Sequence, residues 1–326
     1  MEPFAYAAAA SADIAIARAA GRGAEFIAGG TDMLQLLQER VRAPAELIDI
    51  NELPLRGIER RGDHIRIGAL TRMAELADHP EIRTHFPAVA EALLASASGQ
   101  VRNMASIGGN LLQRTRCLYF RDVATPCNKR QPGSGCPAQD GHNRLNAILG
   151  GSSQCIATHA SDLAVALVAF GAEVELQGAR GTRRLALDAL YRLPGDTPHI
   201  ETVLEPGELI TAVLLPVCDA AEHSAYLKIR DRGSFEWAVV SVAAGLALEG
   251  DRIKEARIAV GGVATKPWRL SEIEAALRGR SIDAPLFREV AARAGEGAVL
   301  RAGNGFKLAL MRRAVARALE QVGEAG

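Results

Sequence analysis

Aromatic residues are scarce in this chain: Phe, Tyr and Trp make up 4% of its 326 residues, against 32 glycines. Stacked rings therefore carry little of the fold, and turns and close backbone approaches carry much of it. A surplus of charge is also missing, since Lys+Arg and Asp+Glu both number 38. With no basic excess to neutralise a phosphate backbone, nucleic acid is excluded as a partner, and any bound anion must be held locally. No apolar run approaches the roughly 20 residues of a membrane helix. The N-terminal MEPFAYAAAASADIAIARAA has no basic region ahead of an apolar one, and Asp13 and Arg18 interrupt it, so it reads as a strand and an amphipathic helix, not a leader. There is no internal repeat.

What is present is a soluble globular composition, 48% hydrophobic and 23% charged, at a length that suggests two or three domains. Residues 1–52 alternate strands near Phe4 to Ala7, Glu25 to Ala28 and Glu46 to Ile50 with helices. GIERRGDHIRIGAL, Gly57 to Leu70, is a hairpin with a Gly-Asp turn. Helices are predicted at Thr71 to Asp78, Pro87 to Ser98 and Ser161 to Phe170, and strands at Ala172 to Gln177 and Glu208 to Pro216. From Ala225 a sheet comes first, at Tyr226 to Ile229, Ala238 to Leu248 and Ile253 to Val263. Helices near Ser271 to Leu277, Ala284 to Ala294 and Phe306 to Val322 follow, which predicts a small α+β unit. Between Gln113 and Thr158 periodicity fades and Cys, Pro, Gly, Asn and Arg accumulate; so long an irregular stretch inside a domain is functional or disordered.

Two glycine turns stand out. In EFIAGGTDML an apolar strand leads into Gly29 and Gly30, then Thr31, Asp32 and a helix. Such a turn lets backbone N–H groups approach an anion, and the helix N-terminus adds a favourable dipole. SIGGNLLQ, Ser106 to Gln113, repeats the device, and two such turns could grip one diphosphate from both sides. A plain tight connection explains each turn equally well. The spacing is neither G-x-G-x-x-G nor that of a P-loop.

Four of the five cysteines, Cys117, Cys127, Cys136 and Cys155, fall in the irregular stretch with 9, 8 and 18 residues between them; Cys218 lies alone. Spacing leaves an iron–sulfur site, a zinc site and free or paired thiols open. Close C-x2-4-C pairs are absent, and two disulfides would suit an oxidising compartment. Arg114, Arg116, Arg121, Lys129 and Arg130 either stabilise anionic thiolates or form a solvated basic loop.

Taken together, these residues resemble the FAD subunit of the xanthine dehydrogenase and aldehyde oxidoreductase family of molybdenum hydroxylases, over essentially the whole chain. FIAGGTDML and SIGGNLLQ match its two flavin diphosphate loops, ASDLA at Ala160 to Ala164 matches the segment whose aspartate binds the flavin nucleotide, and LKIRDRGSFEWAVVSVAA and GGVATKPWR match its C-terminal domain. QRTRCLYFRD, PCNKRQPGSGC and CIATHASD resemble the periplasmic aldehyde oxidoreductase branch, in which this subunit carries an additional [4Fe-4S] cluster. The resemblance implies an α+β fold. A two-subdomain flavin-binding domain of the PCMH or vanillyl-alcohol-oxidase-like kind would span 1–222, with subdomains about 1–54 and 55–222 and an iron–sulfur insertion about 114–157. A C-terminal domain would span 223–326.

It further implies that Phe26, Ile27, Ala28, Gly29, Gly30, Thr31, Asp32, Met33, Ser106, Gly109, Asn110, Asp162, Ile210 and Lys228 bind FAD. Phe26 and Ile210 would supply apolar packing, and the Lys228 ammonium would lie near the isoalloxazine. Cys117, Cys127, Cys136 and Cys155 would ligate the cluster, leaving Cys218 an ordinary thiol. No catalytic base stands out, and His142 and His159 read as loop residues. Trp237 departs from the family pattern at the flavin face. The implied enzyme is a heterotrimer. A molybdenum-cofactor subunit oxidises an aldehyde to a carboxylic acid, a small [2Fe-2S] subunit passes the electrons on, and this subunit delivers them to ferredoxin or dioxygen. Folding is expected in the cytoplasm, with export to the periplasm through a partner's signal. Rival readings are the FAD/[4Fe-4S] subunit of a hydroxybenzoyl-CoA reductase and a non-redox zinc-binding scaffold.

Overall fold

Apolar residues of short alternating strands build three sheets. The computed structural model describes every residue of the chain except Arg22 and Gly326. The first sheet is parallel, with β1 (Ala5–Ala8), β2 (Ala24–Ile27) and β3 (Glu46–Asp49) in the order β1-β3-β2. Ser11 caps the helix Ala12–Ala19 by accepting from the Ile14 amide. That helix buries Ala15 and Ile16 against Ile48 in a small core that Leu70 and Leu209 join from the next unit.

The second sheet is antiparallel: β4 (Ile58–Arg61), β5 (His64–Gly68), β6 (Glu173–Gly178), β7 (Gly181–Ala186) and β8 (Leu209–Pro216), in the order β4-β5-β8-β6-β7. The expected hairpin is β4-β5, and Gly62 takes the left-handed conformation of its turn at φ 62°. Helices Met73–Asp78, Pro87–Leu94 and Asp162–Ala169 cover this sheet. Every residue of Asp162–Ala169 is buried, because the helix lies between two sheets and must be apolar all round.

Its other neighbour is the third sheet, β9 (Ser224–Ile229), β10 (Val240–Glu249), β11 (Arg252–Gly261) and β12 (Trp268–Arg269), antiparallel in the order β12-β11-β10-β9. Ala243 of β10 faces the second unit's core, whereas Val240, Val242, Ala244 and Leu246 join the core formed with helices Ala284–Ala291 and Phe306–Ala325. Burial on both faces explains the continuous apolar run of β10.

The stretch that lost periodicity contains one helical turn, Leu118–Arg121, and a 3-10 turn, Pro137–Gln139. Long-range hydrogen bonds hold it. The Ile148 amide donates to Val263 O at 2.8 Å, the Gly303 amide to Asn143 Oδ1 at 2.9 Å, and Asn304 Nδ2 to Ala147 O at 3.1 Å. The fully buried Lys307 donates to Asn146 O at 3.1 Å and Gly262 O at 2.7 Å. This segment is therefore docked onto the third unit. Among the described residues no helix is long and apolar enough to cross a membrane.

Candidate flavin and cysteine sites

A cavity of about 690 Å³ opens where the first and second units meet, within the roughly 300–1,000 Å³ usual for small-molecule and cofactor sites. Every position expected to bind flavin lines it, from Phe26 to Met33 on the first turn to Ser106, Gly109, Asn110, Asp162, Ile210 and Lys228. The chain thus brings together residues from β2, β8, β9 and three helix starts.

The two glycine turns, alike in sequence, are unequal in structure. Among the described residues, the amides of Gly29, Gly30, Thr31 and Asp32 donate to no protein acceptor, and Gly30 sits at φ 70°, so the first turn presents a run of unused donors. That arrangement is an anion cradle. In the second turn the amides are already committed: Ile107 to Thr71 O at 3.0 Å, Gly108 to Ala69 O at 2.8 Å, and Asn110 to Ser106 O at 2.8 Å. The Gly109 amide donates to Ser106 Oγ at 3.3 Å. Equivalent grip from both sides is therefore not what the backbone offers. Gly29 serves packing as well, because a Cβ there would lie 1.9 Å from Met104 O, just ahead of the second turn.

Asp162 anchors the opposite wall. Its carboxylate accepts from Tyr226 Oη at 2.7 Å, Ser96 Oγ at 3.0 Å and Lys228 Nζ at 2.8 Å, and Lys228 also donates to Ala95 O at 3.0 Å. The Lys228 charge faces the cavity paired, not free. Ser96 and Tyr226 were not legible as site residues, although Tyr226 and Lys228 share a face of β9 by the two-residue strand repeat. Trp237 also lines the cavity, with the Arg116 guanidinium 5.2 Å from its ring centroid. Of the loop histidines, His159 is packed edge-on against Tyr191 at 4.6 Å, and burial lowers its pKa to about 4.

Asp32 makes no side-chain cap on the helix Met33–Gln38. It accepts from the Arg114 amide at 2.8 Å, from Arg121 Nη2 at 2.8 Å and from Arg116 Nη1. Burial alone would raise its pKa, but Arg116 and Arg121 hold the carboxyl below its usual range. The basic residues of the cysteine segment are thus not a solvated loop: most are held in ion pairs and carbonyl contacts, and Lys129 also lies beside Cys155. Arg114 pairs with Glu201, Lys129 Nζ bonds Glu201 at 2.8 Å, and Arg130 donates to Tyr119 O at 2.7 Å and Phe120 O at 2.8 Å. Each of these contacts ties the segment in place.

Cys117, Cys127, Cys136 and Cys155 line one small cavity, and Cys218 is elsewhere. Asn146 Nδ2 stands 3.5 Å from Cys117 Sγ, and the Ala157 amide 3.4 Å from Cys155 Sγ. Burial pushes the Cys155 thiol up to about 11 against the pull of Lys129, and burial together with Cys117 raises that of Cys136. Among the described residues no three His, Cys, Asp or Glu side chains stand where they could hold a metal ion. A third cavity, of about 350 Å³, shares Arg42, Gln113 and Arg114 with the flavin-side cavity and Lys129, Cys155 and Ala157 with the cysteine cavity.

Fold and site together define the FAD-binding subunits of the molybdenum hydroxylases, and the chain belongs to that family of oxidoreductases. Residues 2–218 match the FAD binding domain in molybdopterin dehydrogenase, and residues 224–322 the CO dehydrogenase flavoprotein C-terminal domain. The aldehyde oxidoreductase FAD-binding subunit PaoB of Escherichia coli K12 is 47% identical over 303 residues, covering 92% of this chain and 91% of that protein. The carbon monoxide dehydrogenase medium chain of Afipia carboxidovorans is 27% identical over 94% of this chain and 92% of its own. Among solved structures, carbon monoxide dehydrogenase from Hydrogenophaga pseudoflava superposes with a TM-score of 0.76 at 26% identity, covering 99% of this chain and 98% of that one.

Proposed function

We propose that this chain is the FAD and [4Fe-4S] electron-transfer subunit of a heterotrimeric molybdenum-dependent aldehyde oxidoreductase. Its partners would be a molybdenum-cofactor subunit that converts aldehyde to carboxylic acid and a small [2Fe-2S] subunit, and its outlet an external acceptor, ferredoxin or dioxygen. Loading precedes any export to the periplasm alongside a partner. The observation that carries the reading is the gathering of Cys117, Cys127, Cys136 and Cys155 around one cavity, with a neighbouring cavity that shares lining residues both with it and with the flavin side. The resemblance to the Escherichia coli aldehyde oxidoreductase subunit supplies the substrate class.

Bound flavin supplies two-electron storage and one-electron release; the chain supplies place and electrostatics. The unused amides of Gly29 to Asp32 would receive the diphosphate, and Phe26 and Ile210 would pack against the apolar parts. Asp162, with Ser96, Tyr226 and Lys228 around it, fixes the wall opposite. The cysteines would each take one iron of a cubane. The raised proton affinity of Cys136 and Cys155 means that metal must displace protons there, so loading is favoured by higher pH.

Flavin and metal analysis of the full chain purified with its partners tests this. The expected content is one flavin and about four irons per chain, and Cys127→Ser should lose most of the iron. Zinc without flavin would mean a scaffold instead, and full iron in the variant would remove Cys127 from the ligand set.

A further inference from the structure

We infer that Asp32 couples the two prosthetic sites, its carboxylate tying the flavin turn to the arginines that open the cysteine insertion so that filling either site favours the other. This rests on the assignment of flavin and cluster proposed above. Asp32 belongs to the turn that lines the flavin-side cavity, and its carboxylate accepts from the Arg114 amide and from the Arg116 and Arg121 guanidinium groups. Arg116 directly precedes Cys117, and Arg121 ends the helical turn that directly follows it. One carboxylate therefore grips both sides of a cluster ligand.

The grip is reinforced along the same path. Arg121 Nη1 reaches Glu39 at 3.1 Å, at the far end of the helix that Asp32 begins, and Arg121 Nε donates to Thr115 O at 3.0 Å. Side-chain exposure of only 16% for Asp32, 18% for Arg116 and 12% for Arg121 keeps water from substituting for these bonds. Shifting Cys117 thus shifts Asp32, and with it the amides of the turn. Coupling of this kind is reciprocal by linkage.

Asp32 is a positioning residue in this scheme, and a double-mutant cycle on the full complex tests it. Flavin dissociation constants are measured from the fluorescence of released FAD for four forms: unmodified, Asp32→Asn, Cys127→Ser and the double variant. With Asp32 present, Cys127→Ser should weaken flavin binding about tenfold, inside the range usual for coupled sites. In the Asp32→Asn background the same change should cost no more than about twofold, the scatter of independent sites. In reverse, saturating FAD should slow iron loss to a chelator in the unmodified complex but not in Asp32→Asn.

A merely structural role for Asp32 would lower flavin affinity equally whether or not the cysteines are intact. Equal effects of Cys127→Ser in both backgrounds, or none in either, overturn the coupling. Arg121→Gln, at the other end of the clamp, should give the same cycle should Asp32→Asn not fold. An unmodified complex lacking iron or flavin overturns the proposed function itself, and the coupling with it; iron and flavin both present with additive losses overturn the coupling alone.

Discussion

The ammonium of Lys228 and the carboxylate of Asp162 meet at 2.8 Å with side chains only 4% and 6% exposed, in the wall of the cavity between the first and second units. Such a pair is weak evidence of net stabilisation but costly to break, because the partner left behind is a buried charge. Lys228→Met is expected to lower unfolding stability by about 3–5 kcal/mol, read as a fall in the urea midpoint of the full chain. Tyr226→Phe removes one donor and leaves two, so its cost should be smaller, about 1–3 kcal/mol. An unchanged midpoint for Lys228→Met would show that the pair does not hold the wall.

The close approach at Gly29 gives a second prediction. A methyl group would overlap Met104 O, a backbone atom that cannot swing aside. Gly29→Ala should separate the first turn from the segment leading to the second and yield protein with little flavin absorbance and a lowered melting temperature. Gly99→Ala is the control. Nothing lies within 4 Å of that Cβ position, so the variant should match or slightly exceed the parent by about 0.4–1 kcal/mol.

Lys307 makes stability depend on pH. Burial, aided by the Arg144 charge, lowers its pKa from 10.5 to about 7, partly countered by Asp231. Between these values the unfolded chain binds the proton that the folded chain has released. Stability should therefore rise with pH from about 7 toward 10.5 on account of this group. Lys307→Met should flatten that rise while losing the two carbonyl contacts. Denaturation curves for both proteins at pH 7 and pH 9.5 decide the matter, and equal slopes would count against a buried, deprotonating Lys307.

Periodicity revealed most of the regular elements because their apolar faces are set by local spacing. The hairpin around Gly62 and the helix Ser271–Leu277 are cases in point. Strand β7 escaped because it is a charged edge: Arg183 and Arg184 face Glu208 and Glu175 across the sheet, and no alternation marks it. That the two turns, Asp162, Ile210 and Lys228 share one cavity was legible through motif resemblance, but the inequality of the two turns was not. It depends on Ala69 and Thr71, whose carbonyls occupy the second turn's amides from a distance in sequence. Asp32 shows the same limit. Its place in a glycine turn suggests a ligand contact, while the protein partners of its carboxylate lie more than eighty positions along the chain.

The cysteine segment is docked on all three units at once, through Asp32 on the first, Glu201 on the second and Lys307 on the third. It works as an internal brace, not an appendage. A chain shortened by excising it would not be a simpler flavoprotein: it would strand two carboxylates and a buried ammonium without their counterparts and unlock the seams between the sheets.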